Sequence, residues 1–207
     1  HFFQHARLNR AREKFESAPF NRYVGPPSPD LLIVTCGSCW LYSLDAVRAL
    51  QLEDRVGVLK LGTLWPLPEK VLKENLARAG KILFVEEIDP FIEQSVMEFV
   101  VGAPFLDRLP TFYGKCSGHV NAYGELNPDM VIKAISNILE LTYQPRPLEY
   151  SSEAESFRKS HVPERSMTFC PGCPHRATFW AIKNALKLDG RGGFVTGDIG
   201  CYSMAIG

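Results

Sequence analysis

Cys170 and Cys173 stand three residues apart in the stretch CPGCPH, directly before an amphipathic run that reaches about Leu188. A tight Pro-Gly turn aims two such sulfurs to one side. Thiolates so placed can bind one zinc, share an iron–sulfur cluster or cycle as a redox pair. A plain structural turn is the remaining reading. The helix that follows offers its positive N-terminal end, which favours anionic sulfur nearby. Cys201 comes 28 residues after Cys173, in GDIGCY, just past the strand-like GGFVT. In an α/β unit a strand-end loop and the N-terminus of a neighbouring helix share one edge of the sheet, so the three cysteines can meet there. His175 could complete a Cys₃His zinc set. A thioredoxin-like role is weaker, because no strand precedes the motif.

Other reactive side chains read as structural. Cys36 and Cys39 form a second CxxC, CGSC, after the first strand, and are expected to pack rather than to ligate. Cys116 in GKCSGH is a loop thiol, and His119, beside Gly118, reads as a satisfied loop histidine rather than a contact to substrate or a neighbouring subunit. Glu86, Glu87 and Asp89, in VEEID, suit a solvated strand end or interface salt bridges better than a cation site.

The elements that must position these groups alternate. Residues 1–29 begin as a helix with Leu8, Ala11 and Phe15 on one face, closed by Pro19 and followed by the proline-rich VGPPSPD. Residues 30–142 read strand, helix, strand, helix: LLIVT, WLYSLDAVRAL, VGVLKL, LPEKVLKENLARAG with Gly80 as cap, KILFVEE, PFIEQSVMEFVVG, a short run around Phe112, then NPDMVIKAISNILELT. Asn127 and Pro128 supply an N-cap and first turn. That alternation predicts an α/β domain with a parallel sheet and right-handed crossovers. Residues 143–166 lack periodicity and read as a linker. Residues 167–207 restart an α/β unit with the CPGC turn, a helix and GGFVT as strand. One strand and one helix cannot bury a core alone, so this part is expected to be the front of a larger domain.

Composition narrows the function classes. Lys plus Arg and Asp plus Glu balance at 23 each, so no net field recruits nucleic acid or an anionic membrane. No stretch approaches the roughly 20 apolar residues that span a bilayer. Six cysteines in 207 residues are too sparse for a disulfide scaffold and point to a reducing, cytoplasmic setting. The chain opens on His1 and stops in CYSMAIG, and is expected to be an internal piece of a longer protein.

CPGCPHRATFWAIKNAL and GDIGCYSM resemble the start of the thiamine-diphosphate-binding domain of indolepyruvate:ferredoxin oxidoreductase alpha subunits, members of the 2-oxoacid:ferredoxin oxidoreductases. Upstream, APFNRY, VLKLGTLWPLPEKVL, FVEEIDPFIEQSV and YGKCSGHVNAYGELNPDMV resemble that family's transketolase C-terminal-like domain. The resemblance implies oxidative decarboxylation of an arylpyruvate such as indolepyruvate, with coenzyme A taking the acyl group and iron–sulfur clusters passing electrons to ferredoxin. It implies thiamine diphosphate and Mg²⁺ as cofactors, and a beta subunit in a hetero-oligomer. Cys170, Cys173 and Cys201 match three ligands of a proximal [4Fe–4S] cluster in the wider superfamily, with the fourth expected beyond Gly207. Gly200, Cys201 and Tyr202 would lie beside the thiamine. Asp198 in GDIG invites a magnesium-ligand reading, but the resemblance places that motif later in the chain. The isolated piece is expected to be inactive. The alternative is a non-catalytic α/β scaffold with a structural zinc site.

Overall fold

The computed structural model describes residues 2–102, 105–106, 108–143, 146–147, 149–164, 168–197 and 199–205. They fall into two compact units, 1–145 and 146–207.

The first unit is a five-stranded sheet: β1 (Arg22–Val24), β2 (Leu31–Thr35), β3 (Val56–Lys60), β4 (Lys81–Val85) and β5 (Thr111–Tyr113), in the order β1-β3-β2-β4-β5. β2, β3, β4 and β5 run parallel, and β1 adds antiparallel to β3 at one edge. Ile33 on the central strand sits level with Val58 and Leu83. All five residues of β2 are buried. A strand covered on both faces has no room for a polar alternation, which is why LLIVT is a continuous apolar run.

The two faces hold separate cores. Leu31, Ile33, Val58 and Val85 pack with α2 (Cys39–Ala49) and α5 (Pro128–Leu139). Leu32, Val34, Leu59 and Phe84 pack with α3 (Glu69–Leu76) and α4 (Phe91–Gly102). α5 starts as its sequence requires: the Asn127 side chain accepts from the Met130 amide at 3.1 Å, and Pro128 opens the first turn. Gly80 does not cap α3, which ends earlier, with Ala77 in the right-handed conformation as its C-cap.

α1 (Phe2–Glu16) has no buried residue, yet it contributes a cap. Pro68 precedes α3 and offers no capping side chain. The Glu16 carboxylate takes its place, accepting from the Lys70 amide at 3.0 Å and the Val71 amide at 3.3 Å. Arg12 pairs with Glu69 beside it at 3.3 Å. Between α1 and β2, the stretch expected as closing turn and linker contains β1. The Asn21 carboxamide oxygen ties this segment to the loop after β3, accepting from the Gly62 amide at 2.9 Å.

The second unit departs further from expectation. Within residues 143–166, read as a structureless linker, Tyr150–His161 form α6. Glu155 pairs with Arg158 at 2.7 Å and with Lys159 at 3.7 Å, and Phe157 stacks on His161. One-turn pairs of this kind support a helix with no apolar stripe at all. α7 (Pro174–Asp189) follows the CPGC turn as expected. GGFVT is not a strand: it pairs with no neighbour among the described residues, and Phe194 is fully exposed. Cys201–Ala205 form a short 3-10 helix.

No helix among the described residues is long and apolar enough to cross a membrane.

Candidate functional site

The CPGC turn is a β-turn. The Cys173 amide donates to the Cys170 carbonyl at 3.1 Å, and Gly172 occupies the third position with φ of 73°. A left-handed residue there is what a type II turn demands, with proline ahead of it. Cys173 is the N-cap of α7, but its side chain makes no cap bond. Its Sγ lies 3.1 Å from His175 Nδ1 instead. Cys170 is exposed and Cys173 half-buried.

Aromatic rings hold the later loop to this turn. His175 lies nearly parallel to Phe169, with centroids 6.0 Å apart, and meets the edge of Tyr202 at 4.9 Å. Tyr202 also packs edge-on against Phe179 at 6.0 Å. The segment carrying Cys201 therefore reaches the first turn of α7, though by way of Tyr202 rather than through a strand. Cys201 itself is exposed, and Gly200, at φ of 123°, has open space where a side chain would sit.

Fit to the expected cofactors is a question of gathering. The donor types suit iron or zinc, but among the described residues no group of three or more His, Cys, Asp or Glu is drawn together to hold a metal ion. Nor does the open ground around Gly200 make a cradle for a diphosphate. The arrangement supplies one turn with two thiols and an adjoining histidine, and no cage. Asp198 lies outside the described residues. An open cavity of about 1110 Å³ lies along α7, lined by Phe169, Phe179, Trp180, Ile182, Leu186 and Val195 among others. α7 has no buried residue, so none of the described residues covers this apolar face.

The first CxxC is built differently. Cys36 continues the alternation of β2 and packs against the face of Leu32, Val34 and Phe84. Cys39 opens α2 and is buried in the opposite core, 1% exposed. Burial, and then Glu86, raise the Cys36 thiol above its ordinary range. Burial, reinforced first by Glu87, pushes Cys39 up to about 11. These are packing cysteines, as the sequence suggested.

Sequence reasoning missed what the acids after β4 do. Glu86 is not solvated: it is buried and accepts from the amides of Ile92 at 2.7 Å and Glu93 at 2.8 Å, capping α4. Burial still holds its carboxyl above the usual range, against the effect of those two amides. Glu93, also buried, accepts from the Lys115 amide at 2.9 Å and the Cys116 amide at 3.3 Å. A Cβ at Gly114 would run into that carboxylate, so a larger residue there would have to displace it. Glu87 accepts from the Leu126 amide at 3.1 Å. The signal was the acid pair at a strand end directly before a helix that starts at a proline. Its partners on residues 115, 116 and 126 had no local signature. His119 is satisfied as expected, with Nδ1 3.0 Å from Ser117 Oγ and its ring against Tyr113.

Comparison with known proteins adds kinship. No protein-family model matches the chain. Indolepyruvate oxidoreductase subunit IorA of Methanothermobacter thermautotrophicus is 33% identical over 204 residues, covering 97% of this chain and 31% of that protein. The subunit of the same name from Archaeoglobus fulgidus is 31% identical over 201 residues, 97% of this chain and 30% of that one. The chain thus spans about three-tenths of the length of these curated relatives. A 2-oxoglutarate:ferredoxin oxidoreductase from Magnetococcus marinus, solved with 2-oxoglutarate, coenzyme A and succinyl-CoA bound, superposes on 66% of this chain and 22% of its own. The TM-score is 0.48 and the identity 18%.

Proposed function

From a kinship with the IorA subunits of indolepyruvate oxidoreductase that runs along this chain, we propose that it serves in an enzyme of that kind. The reaction is the oxidative decarboxylation of an arylpyruvate, indolepyruvate foremost, to an acyl-coenzyme A, with electrons leaving through iron–sulfur clusters to ferredoxin. Thiamine diphosphate, Mg²⁺ and a [4Fe–4S] cluster are the cofactors of that proposal. A beta subunit and ferredoxin are its protein partners, and the cytoplasm its location. The observation that carries it is collinearity: matches at 33% and 31% identity each cover 97% of the chain, so both units are included.

Within the reading, residues 30–142 form the transketolase C-terminal-like domain and residues 167–207 the start of the thiamine-binding domain. Cys170, Cys173 and Cys201 are the proposed metal donors, and Gly200 and Tyr202 lie beside the thiamine. The described residues assemble no cofactor cage, so no chemical step is assigned to this chain alone. Its own part is to present a two-thiol turn at the head of α7 and to bring the Cys201 segment to that turn through Tyr202.

The test uses a protein of the relatives' full length, purified without oxygen together with its partner subunit. A brown protein that reduces ferredoxin when given indolepyruvate and coenzyme A supports the reading. Cys201→Ser should lower iron content and electron delivery while thiamine still binds. A colourless protein with stoichiometric zinc and no turnover would overturn it in favour of the scaffold alternative.

A further inference from the structure

We propose that Cys170 and Cys173 close reversibly into a disulfide across the CPGC turn, a modification that withdraws both sulfurs from metal. Three independent features of the turn carry this. The first is reach. A hydrogen-bonded β-turn holds its end Cα atoms within about 7 Å, and disulfides bridge Cα separations of about 4.4–6.8 Å. The Cys173-to-Cys170 backbone bond and the left-handed Gly172 fix that turn.

The second is access: both residues are free thiols, Cys170 is exposed and Cys173 half-buried, so a small disulfide can approach. The third is direction. Cys173 sits at the N-terminus of a 16-residue helix, and its sulfur is held by His175 Nδ1 at 3.1 Å rather than spent on a cap. A sulfur not committed to a cap is available for exchange.

The step balances with a low-molecular-weight disulfide as oxidant. The Cys173 sulfur attacks one of its sulfurs, forming a mixed disulfide and releasing one thiol. The Cys170 sulfur then attacks Cys173, releasing the second. One S–S bond breaks and one forms, and the two electrons lost by the cysteine pair reside on two small thiols. Closure of the bond does not depend on the proposed function. Its consequence, that the oxidised turn cannot load a cluster, does rest on that reading.

The experiment takes the reduced chain, incubates it without oxygen in oxidised glutathione, and maps it by mass spectrometry after blocking free thiols. Expected is a loss of two hydrogens confined to the peptide holding both Cys170 and Cys173, restored by dithiothreitol, with Cys36 and Cys39 still unoxidised. The same bond should form in a Cys116→Ser, Cys201→Ser double variant, which removes the other exposed thiols. The reduced double variant should take up more Zn²⁺ than the oxidised one. Thiols at 170 and 173 that stay fully alkylatable, or a bond from either to Cys201, would overturn the proposal. If the bond forms but the full-length protein holds no iron, the functional reading fails and the redox turn stands.

Discussion

The chain carries the spacing CxxC twice, and the fold makes two different objects of it. In CGSC the first cysteine follows a central strand and packs into one core, while the second begins the helix that covers the other face and is buried in the other core. In CPGC no sheet intervenes, and a hydrogen-bonded turn brings the two residues back toward each other. Spacing alone reports how far apart two thiols lie along the chain. Whether they can act together depends on what the intervening residues build.

The largest expected effect is in reactivity. Native-state alkylation of Cys39 requires opening of a core whose stability is on the order of 5–15 kcal/mol. Cys170 should therefore react at least ~10³-fold faster than Cys39 with iodoacetamide, read by peptide mapping. Comparable rates would mean the first motif is not sealed and the contrast is false.

Next in size is Glu93→Ala, which takes the acceptor from the buried amide of Lys115 and the half-buried amide of Cys116. Chemical denaturation should show a loss of about 3 kcal/mol from the first unit, while α7 keeps its helical signal.

Alkali gives a similar magnitude by another route. Cys39 is pushed from 9.0 up to about 11 in the folded chain, so the unfolded chain loses that proton first. The stability this thiol contributes is intact below pH 9 and lost as the pH rises toward about 11, a drop of about 3 kcal/mol. Cys39→Ala should flatten the profile over that range. The smallest effect is at the exposed turn. Cys170→Ser should move the melting free energy by less than ~0.5 kcal/mol.

The two regions also differ in how far their residues foretold them. β2 was legible with its bounds, and β4 from its first residue, because a strand covered on both faces favours an unbroken apolar run. The cap of α5 was legible because Asn127 and Pro128 are local partners. β1 was not: three residues amid prolines and glycine, held by an edge pairing, leave no pattern of their own. α6 was missed because it is stabilised by charge pairs and buries nothing. GGFVT was misread as a strand because its composition suits one, yet a strand exists only where another pairs with it. At the site, sequence placed the turn, the helix and the approach of the Cys201 segment. It did not foresee that rings would make that approach, since Phe169, His175, Phe179 and Tyr202 come together only after folding. The work of Glu86 and Glu93 was hidden for the same reason.

The cap that α1 lends to α3 turns two amides into reporters. α1 fully buries none of its side chains, and polar contacts tie it to α3, the Arg12–Glu69 pair and the Glu16 carboxylate. Salt screens exposed ion pairs of this sort while leaving an apolar core intact. Raising ionic strength should therefore lift the N-terminal helix like a flap, with the sheet beneath it unchanged. Hydrogen exchange at Lys70 and Val71 would quicken as the flap opens, and the amides of β2 would keep their protection.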